Sequence, residues 1–172
     1  MKRLVIVSLA ALLLALATAL PAAAADPARP FTGSWVSADG FDFGAPGCPS
    51  GAFLRFSTTG HGQFAHLGLT AVSMTHCTYL GPGPLDGSFD HGIITLTAAN
   101  GDTVTLGESG SFVLTPNPAG PTPFATATSQ SRWWVTGGTG RFANATGGGS
   151  GTAFDDMIAG VQAFDLAGTI AY

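Results

Sequence analysis

The chain has 172 residues, of which 45% are hydrophobic and only 9% charged, with 25 glycines, two cysteines and a net charge of −4. That apolar fraction is enough for a packed core and excludes a disordered chain, while the acidic balance excludes a phosphate-tracking nucleic-acid binder or a basic membrane-surface protein.

Lys2 and Arg3 precede an apolar run from Leu4 to Leu20, then Pro21 and the small residues Ala22 to Ala25. This is the layout of a secretory signal peptide cleaved near Ala25, and it assigns the mature protein to the secreted, extracellular compartment. Residues 26–172 then form one domain with no membrane span. Its basic residues are Arg29, Arg55, Arg132 and Arg141 against ten acidic ones, a net charge of −6.

The first strand is expected at Phe31 to Ser37, followed by a Gly/Pro loop from Ala38 to Gly51 that carries Cys48. The β-rich run Ala52 to Tyr79 is too long for one strand and divides either near Gly60-His61-Gly62 or at Leu67-Gly68. Cys77 lies at its end. Two cysteines in an exported chain most simply form one disulfide, Cys48 to Cys77. The spacing predicts a hairpin from Ile93-Ala99 and Asp102-Leu106 joined by Asn100-Gly101, the signature of a type I′ turn.

Further strands are expected at Ser111 to Thr115, Phe124 to Thr128, Ser131 to Thr136, Gly151 to Asp155 and Val161 to Tyr172, with the proline-rich loop 116–123 between the first two. In the last strand Phe164, Leu166, Ile170 and Tyr172 share one face. Between Trp134 and Gly151, the glycines Gly137, Gly138 and Gly140 turn the chain. Residues 141–145 then form about one helical turn with Thr139 as N-cap, and Gly147 to Gly149 end it. Phe142 reads as a hydrophobic plug pinning this corner to the core. Gly138, Gly140 and Ala143 also satisfy the dinucleotide fingerprint, but glycines occupy the place where the required helix would run.

Eight to ten short strands with sequential hairpins point to an all-β, single eight-stranded antiparallel up-and-down barrel, calycin-like, rather than a sandwich. Residues 136–147 (TGGTGRFANATG), with Leu96 to Asp102 (LTAANGD) and Ala65 to Gly68 (AHLG), resemble the allene oxide cyclase barrel-like group, related to dirigent proteins. The resemblance implies an eight-stranded barrel with a cavity and a small hydrophobic molecule as partner. It carries over no catalytic residue.

Side chains with chemistry are few. His61, His66, His76 and His91 match no metal-ligand spacing, and no metal or cofactor is expected. Asp155 and Asp156 are adjacent and point to opposite faces of a strand. Ser109 in Gly-Glu-Ser-Gly falls short of a nucleophile elbow. Asn144-Ala145-Thr146 is a glycosylation sequon. Arg55, Arg132 and Trp134 are the candidate ligand-binding residues, because an arginine turned into a barrel anchors an anionic group; turned outward, it is an ordinary solvated side chain. Two functions follow: a secreted binder or cyclase-like orienter of a small hydrophobic molecule, or a non-catalytic extracellular structural or protein-binding barrel. A cavity with convergent polar groups distinguishes the first from a packed interior.

Overall fold

The computed structural model describes residues 26–172, so the signal-peptide reading of residues 1–25 lies outside the described residues. Eight strands follow in sequence: β1 (Arg29–Phe43), β2 (Leu54–Phe64), β3 (Gly68–Leu80), β4 (Asp86–Ala98), β5 (Thr103–Pro116), β6 (Phe124–Gly138), β7 (Thr146–Asp156) and β8 (Val161–Ala171). Each pairs antiparallel with the next and β8 pairs with β1, giving the expected closed up-and-down barrel. No helix among the described residues is long and apolar enough to cross a membrane.

The strands are longer than their apolar runs suggest. β1 continues through Phe43 and takes up part of the expected loop from Ala38 onward, and β5 runs unbroken through the Gly107–Gly110 stretch. The run from Ala52 divides before Gly68, at the Leu67-Gly68 alternative; Gly60, His61 and Gly62 lie inside β2. Gly147, Gly148 and Gly149 do not end a helical turn but belong to β7. Their lack of side chains makes room for the interior, since a Cβ at Gly149 or Gly168 would lie 2.8 or 2.6 Å from Cζ2 of Trp133.

The Asn100-Gly101 hairpin forms, but not as a type I′ turn. Gly101 N donates to Ala98 O (2.9 Å) and Ala98 N to Asp102 O (2.9 Å), which leaves a three-residue loop. Only Gly101 has positive φ, at 87°; Asn100 does not, and its Oδ1 instead accepts from Asp102 N at 3.1 Å. This is a type I turn closed by a left-handed glycine.

The corner between β6 and β7 is a single 3-10 turn, Gly140–Phe142, with Phe142 fully buried. The ring packs against Tyr172, centroids 4.6 Å apart. Thr139 does not cap the turn with its side chain; its Oγ1 accepts from Thr103 N at 3.0 Å and stitches the corner to β5. Arg141 is not free in solvent. It donates to His66 O, lies 3.7 Å from Asp102 Oδ2 and covers the Phe142 ring. Phe142 thus seals the lower end of the barrel, where the first residues of β1 and the last of β8 also lie.

The upper end carries the long loops. Cys48 and Cys77 are bridged as expected. Cys77 pairs in register with Arg55, whose side chain faces outward, so the disulfide holds the β1–β2 loop against the outer wall rather than across the barrel mouth.

Register fixes the heights inside the barrel. Through β8, β7 and β6, Ser37 leads to Gln162, Asp155, Ala127 and then Leu114 of β5. Through β2, β3 and β4 it leads to Gly60, Val72, Leu96 and then Val104 of β5. The two routes meet β5 ten residues apart, the stagger of tilted strands in a closed barrel. The point of β5 level with Ser37 is therefore midway, which places the inward side chain of Glu108 at that height.

Candidate functional site

The lower half of the interior is filled by side chains. Trp35 stacks on Phe164 at 4.1 Å and 10°, Phe64 lies 5.8 Å from Trp35, and Phe31 packs edge-on against Trp133 at 5.6 Å. Leu96, Val104, Leu106, Leu166 and Ile170 close the remaining space. Trp133 satisfies its indole N–H on Ser150 O at 3.0 Å. Burial of this kind contributes roughly 1.5–3 kcal/mol for each large apolar side chain and leaves this half without room for a ligand.

Above it the inward positions turn polar. By the same stagger, Ser37, Thr58, Glu108 and Ser131 share one level, with Asp39, His76, Asp155 and Gln162 about one layer higher. Ser37, Thr58, Glu108, Ser131, Asp155 and Gln162 are buried. Gln162 Nε2 donates to Asp155 Oδ1 at 2.8 Å, and Thr58 Oγ1 to Ala38 O at 2.8 Å. Eight further buried side-chain atoms there, on Ser37, Asp39, His76, Glu108, Ser131 and Gln162, have no hydrogen-bond partner within the chain, and neither has Trp35 Nε1 in the packed half below.

This surrounding sets the titration of the groups. Burial pushes the Glu108 carboxyl up to about 7, and the Ser131 hydroxyl, close by but outside standard hydrogen-bond geometry, pulls weakly the other way. Asp39 rises to about 7, through burial first and the charge of Asp155 second. Asp155 rises to about 6 by burial, moderated by the Gln162 hydrogen bond. Burial lowers His76 to about 3, so the imidazole is neutral, held between the rings of Phe56 (4.9 Å) and Phe89 (4.4 Å). Carboxyls that titrate near neutrality can each hold or release a proton. Toward the mouth, Phe41 packs edge-on against Phe56 and Phe43 against Phe53, and Phe41, Phe43 and Phe53 remain exposed as an aromatic rim.

The residues singled out from the sequence lie elsewhere. Arg132 and Trp134 do come together, two positions apart on the outer face of β6, beside a shallow groove floored by Gly149, Ser150, Ala167 and Gly168. Arg55 points outward from β2, four strands away, and donates to Pro46 O at 3.3 Å. None of the three enters the barrel. Of the histidines, His76 alone is interior, and no three His, Cys, Asp or Glu side chains among the described residues are grouped as a metal ion requires. Asp155 and Asp156 do face opposite ways: Asp155 is buried toward the barrel interior, whereas Asp156 Oδ1 accepts from the N–H groups of Ile158 and Ala159.

The inward acids had a legible signal that composition conceals. Glu108 is in phase with Val104 and Leu106, Asp39 with Trp35 and Ser37, and His76 with Val72 and Met74, so each continues an apolar face.

The fold and site together define a closed antiparallel barrel with one packed half and one polar, carboxyl-lined half. Comparison with family models, curated proteins and solved structures returns no match for this chain.

Proposed function

We propose that this is an exported barrel protein whose polar upper half takes up a small molecule, the polar end inward and the apolar body against the aromatic rim. The observation that carries the reading is the set of eight buried polar atoms of the upper half, on Ser37, Asp39, His76, Glu108, Ser131 and Gln162, without intramolecular partners. Each unpaired buried group costs about 1–3 kcal/mol, and a small domain has only about 5–15 kcal/mol of stability in total. Guest atoms that reach these groups offset that loss, and the rim at Phe41, Phe43 and Phe53 favours a guest with an apolar part over water alone. The disulfide is compatible with export, and the allene oxide cyclase-like resemblance points to the same class of guest.

The alternative, a non-catalytic structural or protein-binding barrel, draws on the solid aromatic packing of the lower half. Mass spectrometry under native conditions, on protein secreted by its own host, separates the two. Binding predicts an added mass that disappears on denaturation. A single bare-chain mass in both conditions contradicts it.

A further inference from the structure

We infer that the groove on the outer wall beside Trp134 is a binding site for an acidic polysaccharide, a chain of sugar rings that carry carboxylates. The site is separate from the barrel interior and does not rest on small-molecule uptake there. Gly107 faces outward from β5 and yet is buried, because the Trp134 ring covers it: a Cβ at Gly107 would stand 2.5, 2.6 and 2.7 Å from Cε2, Nε1 and Cζ2 of the indole. Three ring atoms at nearly one distance mean that the indole lies flat on the wall. Its other face is open, and the residue is 45% exposed.

Register supplies the rest of the surface. The row at Trp134 continues through Gly148 to Thr169, and the row at Arg132 through Ser150 to Ala167. Trp134 and Arg132 stand two residues apart on one strand, about 7 Å, so they can meet successive units of one chain. Arg29, Arg55 and Arg141 bond within the protein, to the Tyr172 hydroxyl, Pro46 O and His66 O; among the described residues Arg132 is the one arginine with no hydrogen bond or ion pair. The outward acids on the flanking strands, Asp90 on β4 and Asp165 on β8, make no ion pair with it, and Asp90 Oδ1 lies 2.6 Å from His91 Nδ1.

Each feature narrows the occupant. A shallow groove encloses too little of a free small molecule to hold it, whereas a polymer gains contact unit by unit along the wall. The electron-rich face of an exposed indole takes the C–H face of a sugar ring. The unpaired guanidinium takes a carboxylate through two parallel hydrogen bonds. The hydroxyls of Ser150 and Thr169 both donate and accept, as sugar hydroxyls require. A nucleic acid also offers flat rings and anionic groups, but residues 26–172 carry four arginines against ten acids, and a lone guanidinium does not neutralise a phosphate backbone.

Binding of the exported, disulfide-intact protein to sensors coated with polygalacturonate, alginate, hyaluronate, dextran or polyglutamate tests this. At least one of the three uronate polymers should hold the parent, and dextran and polyglutamate should not. W134A and R132Q should each weaken that binding about tenfold or more, while W134F, which restores a ring, should recover most of it. The same polymer with its carboxylates reduced to alcohols should bind about tenfold more weakly and be indifferent to R132Q. No binding to any of the three uronates, or binding that W134A leaves unchanged, overturns the inference. Equal binding of the reduced polymer overturns its acidic part, and polyglutamate held as tightly as the uronates shows a surface for acidic peptides instead. These variants lie on the outer wall, so none of the outcomes bears on the interior, which the added mass in native spectra decides separately.

Discussion

Replacing Glu108 by glutamine tests directly what a buried carboxyl does to this barrel. Glu108 is 0% exposed, and burial moves its titration from 4.5 to about 7. Unfolded, the group ionises near 4.5; folded, it keeps its proton to about 7. Between these values the native state holds a proton that the unfolded state has released, so stability falls as pH rises through this window and stays lower above it. A rise of that size corresponds to about 3 kcal/mol. Glutamine keeps the shape and has nothing to ionise. E108Q should therefore match the parent at pH near 5 and exceed it by roughly 2–3 kcal/mol at pH near 8, as read by urea unfolding with the disulfide intact. Equal stability of the two proteins at both pH values, or a variant destabilised at alkaline pH, would refute the placement of Glu108 in a dry, unpartnered site.

The parent protein itself should lose thermal stability from pH about 5 to about 7.5, because Asp39, Asp155 and Glu108 all retain protons in the fold, outweighing the opposite contribution of the single buried His76 below 6.5; a rise in melting temperature over that interval would contradict the chamber's titration. Phe142→Ala should open a cavity at the sealed lower end and cost roughly 3–5 kcal/mol in chemical denaturation, whereas Arg141→Ala, which loses only exposed contacts, should cost about 1 kcal/mol or less. Gly101→Val should destabilise by more than about 1 kcal/mol although no atom lies within 4 Å of its new Cβ, since the strain is in the backbone alone. Titration of the denatured, unreduced protein should find no free thiol.

The closed barrel was legible because its hairpins are sequential, need no long crossover, and are punctuated by glycines. The plug at Phe142 was legible for a related reason: it is the only large apolar side chain in a long glycine-rich stretch, and such a side chain is held in place by burial. The disulfide required only the count of cysteines and the export layout. Strand limits were misread wherever glycine served close packing rather than a turn, as in Gly60 and Gly62 of β2 or Gly149 beneath Trp133. The inward acids were not legible from residue type, because Asp39, Glu108 and Asp155 acquire their chemistry from facing inward. Asp39 also fell in a segment taken for loop, where alternation carries no meaning. Arg132 and Trp134 stand on the same strand as the inward Ser131 and Trp133, one residue out of phase, and that single step separates the outer wall from the interior.

The central claim, that the upper half of the barrel is built around a guest, is tested most directly by a high-resolution electron-density map of the protein as purified from its host. The account predicts continuous non-protein density within hydrogen-bond distance of the Asp39 and Glu108 carboxyls and Gln162 Oε1, extending toward Phe41 and Phe43. A chamber in which those same oxygens are paired with one another and with neighbouring side chains, with no space between them, would contradict it.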